Sequence, residues 1–199
     1  MKKIVRLVFE GSPCAGKTTV IEYLKKQKTL IPVIYVDEVA TEVLKEDPDF
    51  IRKDQVGFQK EVLYRQNQKE SEAYHQCAYY RNEPLTVIIL DRGAADLFVY
   101  LNEDTAKHIA GVEMTELLAR YDAVFHFEPY IDIGSLRLGN DVRAEENTAE
   151  IIALHKKSFD IWGQHPCVLN IPVFETKEQK GEYVIEQIHK LIQSEVFVQ

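Results

Sequence analysis

Eight residues, Gly11-Ser12-Pro13-Cys14-Ala15-Gly16-Lys17-Thr18, constrain this chain more than any others. They satisfy the pattern G-x-x-x-x-G-K-[ST]. They stand between the largely apolar run Ile4-Val5-Arg6-Leu7-Val8-Phe9 and a segment where Val20, Ile21 and Leu24 share one helical face. A strand that ends in a glycine-bearing turn and runs straight into a helix presents successive backbone N–H groups to one point. Gly11 and Gly16 let the backbone curl that way. The positive end of the helix strengthens the attraction for an anion. The motif therefore predicts a nucleoside triphosphate site. Gly11, Ser12, Pro13, Cys14, Ala15, Gly16 and Thr19 form its cradle, Lys17 reaches the β- and γ-phosphates, and the Thr18 hydroxyl completes the shell of a Mg²⁺ ion.

Beyond the loop, apolar runs alternate with amphipathic stretches, the pattern of a parallel sheet covered by helices. Strands are expected near 4–10, 32–37, 85–91, 122–127 and 167–171. Helices are expected near 17–27, 39–46, 53–80, 93–101, 113–120, 146–162 and 177–194. The expected class is α/β, a three-layer P-loop NTPase fold with a five-stranded parallel sheet. A length of 199 residues suits one domain spanning 1–199, with a small arginine-bearing lid at about 128–145. No apolar run approaches the ~20 residues needed to span a bilayer. A removable leader would delete the loop, so a cytoplasmic location is expected. A net charge of −8 without a basic run disfavours a nucleic acid polymer as partner. Cys14, Cys77 and Cys167 have neither disulfide nor zinc spacing; Cys14 sits within the loop and is read as a small loop residue, the alternative being an oxidisable thiol beside the loop's N–H dipoles. The six histidines show no metal-ligand spacing and are read as core or surface residues.

In an open α/β sheet the chemistry lies beyond the carboxyl ends of the strands. The third strand ends Val87-Ile88-Ile89-Leu90-Asp91, so Asp91 is expected to hold Mg²⁺ opposite Thr18. Arg92 follows and is expected to reach a phosphate, the alternative being an ion pair with Glu38 or Asp96. Asp37 and Glu38 follow the second strand. Glu38 is favoured as the base that takes a proton from an acceptor hydroxyl, with Asp37 near the acceptor or capping the next helix. Arg137 and Arg143 bracket a Gly-containing loop that reads as a lid, its guanidinium groups placed to stabilise the transferring phosphoryl group, with Glu145 orienting Arg143. Gln59 and Gln66 interrupt an otherwise apolar stripe on the long helix. An acceptor can partner such amides while Phe58 stacks on it, or the amides lie in water at the rim.

FEGSPCAGKTT, the run Asp37-Glu38-Val39-Ala40, LDRGAADLFVY and Val142-Arg143-Ala144-Glu145 together resemble the NadR/Ttd-type P-loop domain family, which includes nicotinamide riboside kinase domains. Asp91, Arg92, Gly93 and Asp96 carry the D-R-G-x-x-D element of that resemblance. The same landmarks are similar to those of deoxynucleoside and thymidylate kinases. The resemblance implies a sheet in order 2-3-1-4-5 and a kinase acting on nicotinamide riboside or a (deoxy)nucleoside, with ATP or GTP and Mg²⁺. The adenylyltransferase domain of NadR proteins has no room in this chain. Some relatives act as nucleotide-dependent binding proteins, so the alternative is an ATP or GTP switch with a protein or lipid partner and little turnover. A monophosphate acceptor is disfavoured, because an acidic Asp37-Glu38 pair repels it.

Overall fold

The computed structural model describes residues 3–129 and 148–194. The chain begins with β1 (Lys3–Glu10), whose second half is fully buried. The other strands are β2 (Val33–Val36), β3 (Leu85–Asp91), β4 (Ala123–Phe127) and β5 (Val168–Ile171). All pair in parallel, in the order β2-β3-β1-β4-β5. Order and direction match the expectation. β1, β3 and β4 read as continuous apolar runs because helices cover both faces of the sheet.

One covering layer holds α1 (Lys17–Lys25) and α9 (Lys177–Gln193), whose Val20, Ile21, Leu24, Val184 and Ile188 pack on Phe9, Ile89 and Phe125. The other holds α4 (Gln55–Gln76), α5 (Asp96–Tyr100), α6 (Glu103–Ala110), α7 (Met114–Leu118) and α8 (Thr148–Trp162), packed on Val8, Ile88, Leu90 and Val124. Two short helices, α2 (Val39–Glu46) and α3 (Phe50–Lys53), close a smaller cluster around Phe58.

Three expectations are corrected. The helix expected at 53–80 is broken at Asp54, whose carboxylate accepts from the Gly57 N–H at 2.8 Å and starts α4 afresh; the last residues, 77–80, tighten into a 3₁₀ turn. Helix α6 was not expected, although its signals are present: Asn102 caps Thr105, Glu103 and Asp104 fill the first turn, and Gly111 ends it at φ 68°. The helix expected at 93–101 shortens to α5 because residues 93–95 enter it as a tighter turn, with Asp96 N–H donating to the Gly93 carbonyl at 3.1 Å; Gly93 is closely packed there. A Cβ there would sit 2.7 Å from Trp162 and from the Tyr121 hydroxyl. Gly93→Ala is expected to cost about 1–3 kcal/mol through overpacking. Urea unfolding reads this as a lower midpoint at unchanged slope, and an unchanged midpoint would show that the Trp162–Tyr121 contact yields freely. Among the described residues, no helix is long and apolar enough to cross a membrane.

Candidate functional site

The loop after β1 is shaped by three left-handed residues, Gly11 (φ 138°), Cys14 (φ 61°) and Gly16 (φ 87°). At Gly11 a side chain would also strike the Phe127 carbonyl oxygen, 2.5 Å from an added Cβ, so only glycine lets β1 enter the loop beside β4. Lys17 is 5% exposed and folds over the loop, its Nζ donating to the carbonyls of Gly11 and Ser12 at 2.9 Å each. Burial, with Arg92 adding to it, pulls its ammonium down to about 8. Cys14 is exposed at the loop's outer side.

Thr18 and Asp91 meet as the motifs predict: the Thr18 hydroxyl donates to Asp91 Oδ2 at 2.7 Å. Asp91 Oδ1 is buried without a hydrogen-bond partner, and burial raises the carboxyl above its ordinary range. Two hard oxygen donors side by side, one orphaned, fit Mg²⁺, which takes one or two protein oxygens and completes its octahedron with phosphate and water.

Arg92, at φ 72°, follows Asp91 directly and lines the cavity described below. Its Nε donates to Glu38 at 2.6 Å and its Nη1 to Asp96 at 3.1 Å, with Glu10 at 3.7 Å. Nη2 is buried and unpartnered. The ion pairs weighed from the sequence are thus both present, and one edge of the guanidinium remains to bind an anion. Glu38 takes the N-cap position of α2 without capping it; its carboxylate accepts from Arg92 and from the Thr41 hydroxyl instead.

Asp37 lies elsewhere. The structure turns it outward to an ion pair with Lys25 of α1 at 2.8 Å, its side chain 62% exposed, so it neither lines the cavity described below nor caps α2. Val36 ends the strand, and the turn that follows sends Asp37 and Glu38 to opposite sides. Asp96 is buried, with Oδ1 accepting from the Trp162 indole N–H at 2.7 Å and Oδ2 engaged by Arg92. Burial and the neighbouring Glu10 push its carboxyl well above the ordinary range. Asp96 therefore bears on the site through Arg92.

A cavity of about 190 Å³ opens beside Arg92, walled by Val39, Leu44, Phe58, Val62 and Leu97, with Pro13 of the loop at its rim. Phe58 is held edge-on against Phe50, 5.8 Å between centroids. Gln59 and Gln66 are 4% and 3% exposed, so neither sits at a wet rim. Gln66 is committed to Glu70 at 2.9 Å and to the Arg92 carbonyl at 3.3 Å. Gln59 lines the cavity. A wider recess of about 510 Å³ flanks the other side of the loop, bounded by Cys14, Thr19, Phe174, Thr176 and Lys180. Arg137, Arg143 and Glu145 lie outside the described residues.

Sequence reasoning missed Glu10, Ser158, Trp162 and Lys180. Ser158 donates to the buried Glu10 at 2.6 Å, and Lys180 reaches back to the Ala15 carbonyl at 2.8 Å, its ammonium 5.4 Å from the Phe127 ring centroid. These contacts join residues 148 and 165 positions apart, and no local pattern announces them.

No curated protein matches the sequence. Among solved structures the fold is similar to that of deoxyadenosine kinase from M. mycoides, determined with the products dCMP and a flexible dCDP bound. The TM-score is 0.64 at 15% identity, covering 94% of this chain and 100% of that one, a likeness of fold. The sequence matches the AAA domain family over residues 6–177, which takes in the phosphate loop, Glu38, the Asp91-Arg92 pair, most of β1 and the other four strands. The chain belongs to the AAA domain family.

Proposed function

We propose that this protein is a P-loop kinase that transfers the γ-phosphoryl group of a nucleoside triphosphate, ATP or GTP, to a hydroxyl of a nucleoside-like acceptor. Nicotinamide riboside and the (deoxy)nucleosides lead the candidates, on the NadR-like motif pattern. One observation carries the reading. A mostly apolar cavity with a polar end meets the phosphate loop at Arg92, and the Glu38 carboxylate bonds to the same guanidinium. A cavity joined in this way to a carboxylate favours a phosphoryl acceptor over a switch.

In this reading residues 1–199 act as one domain. The loop amides and Lys17 hold the phosphates, and Thr18 and Asp91 would hold Mg²⁺, which when bound would neutralise charge on the β- and γ-phosphates. Arg92 offers Nη2 to the phosphates. A phosphate that draws the guanidinium toward itself loosens its bond to Glu38 and frees that carboxylate oxygen to take the acceptor's proton. Phe58 packs on the acceptor ring while Gln59 hydrogen-bonds its polar edge. Arg137 and Arg143 close over the transferring group.

Gln59→Leu keeps the side-chain bulk and removes the amide. The acceptor KM is expected to rise about three- to tenfold, the worth of one neutral hydrogen bond, with the KM for ATP unchanged. Equal rises in both KM values would place Gln59 in general support of the site. The function itself is tested by ADP release from ATP–Mg²⁺ and GDP release from GTP–Mg²⁺ across ribonucleosides, deoxynucleosides and nicotinamide riboside. Acceptor-dependent release names the substrate class. Tight nucleotide binding with no acceptor response overturns the kinase reading.

A further inference from the structure

Four side chains of opposite or exchangeable charge stand in a row at the carboxyl edge of neighbouring strands: Glu38 after β2, Arg92 after β3, Glu10 ending β1 and His126 on β4. The kinase reading employs the first two and leaves His126 unexplained. His126 is 2% exposed, and neither Nδ1 nor Nε2 has a hydrogen-bond partner. A neutral imidazole carries one donor and one acceptor. Burying both unmet is costly, and a leucine would fill the same space at no such cost.

The surroundings compound the anomaly. Glu10 lies opposite His126 across β1 and β4, and its Oε2 is also buried and unpartnered. His155 of α8 packs its ring on His126, 4.8 Å between centroids, with its own Nδ1 buried and unpartnered. Phe159 closes the pair edge-on at 5.1 Å. Unmet donors and acceptors thus gather at the edge of the sheet where the phosphate loop begins, since Glu10 immediately precedes Gly11.

Lys17 from α1 bears on both rings and Glu128 beyond β4 on His155; Glu10 from β1 stands in register with His126, and α8 contributes His155, with Ser158 bonded to Glu10 and Phe159 against His126. Burial, then His155 and Lys17, hold His126 down to about 4. Burial also lowers His155, Lys17 adding and Glu128 opposing. A triphosphate seated on Lys17 reverses the local field: it cancels the ammonium's repulsion and offers oxygens that an imidazolium N–H can serve.

We propose that His126 and His155 form an imidazole wall of the phosphate site that takes up one proton from solvent when a nucleoside triphosphate binds. The lone pair of a ring nitrogen accepts the proton, and the resulting N–H donates to a phosphate oxygen. The inference rests on the loop being a triphosphate site and is independent of any acceptor.

Calorimetric titration of the intact protein with ATP–Mg²⁺, in paired buffers of different ionisation heat, counts the protons exchanged. At pH 6 Lys17, with its value of about 8, is already charged in the free protein and adds no uptake. Wild type is expected to take up more protons there than His126→Leu or the half-buried alternative His155→Gln, the difference approaching one. Its affinity, relative to the variants, gains up to about tenfold per pH unit below pH 7 and converges with theirs at pH 8. Equal proton counts and equal affinities at pH 6, with ATP still bound, overturn the imidazole wall and leave the kinase reading intact. Failure of the wild type to bind ATP overturns both.

Discussion

Glu38→Gln is expected to lower turnover by about 10²–10⁴-fold, the usual worth of a positioned general base, while ATP–Mg²⁺ binds as before. The substitution separates two roles that the structure combines. Glu38 is both the only carboxylate bonded to Arg92 Nε among the described residues and the candidate acceptor of a substrate proton. Glutamine retains an oxygen for Nε, and its amide NH2 donates to the Thr41 hydroxyl, which then accepts instead of donating, so Arg92 stays in place, held also by Asp96 and Glu10. What disappears is basicity. If Glu38 serves only to tether Arg92, the glutamine variant keeps most of its kcat and shows at most a modest rise in the KM for ATP. Glu38→Asp, which keeps the charge but shortens the arm, is expected to fall between the two.

Lys17→Met is the second large effect. Methionine preserves the bulk of the lysine stem but leaves the carbonyls of Gly11 and Ser12 without their donor and the phosphates without their ammonium. Nucleotide affinity is expected to fall, and kcat by about 10²–10³-fold, as when one preorganised electrostatic donor is removed. Stability moves the other way with pH. The native value of about 8 lies below the ordinary 10.5, so between those values the unfolded chain binds the extra proton. Stability therefore rises with pH across that window, by an amount on the order of 3 kcal/mol. Urea midpoints of wild type minus those of Lys17→Met, followed from pH 7 to pH 11, should show this rise. A flat difference would mean that the ammonium is solvated in the native protein.

Some of this architecture was legible in the sequence and some was not, for definite physical reasons. The loop was legible because its whole chemistry is contiguous: two glycines, a lysine and a hydroxyl within eight residues. The central strands were legible because burial on both faces leaves near-continuous apolar runs such as Val87–Leu90. Helix α6 was missed although Asn102 and Gly111 mark both its ends, because it buries only Ala106 fully and so shows little apolar periodicity. Asp37 and Glu38 looked interchangeable in one dimension. In three, the turn after Val36 gives one to Lys25 and the other to Arg92. Glu10 read simply as the last residue of a strand, and its meaning depends on Ser158, Arg92 and Asp96 arriving from distant segments. The sequence marks His126 only as one of six core or surface histidines, and the structure alone reveals that it is buried with its ring nitrogens unmet.

The most direct test of the central claim follows the phosphoryl group itself. With γ-labelled ATP–Mg²⁺ and the acceptor panel, the account predicts label in an organic phosphate monoester, formed in proportion to ADP and lost in Glu38→Gln. Label found solely in inorganic phosphate, or retained on tightly bound ATP at every acceptor, would contradict it.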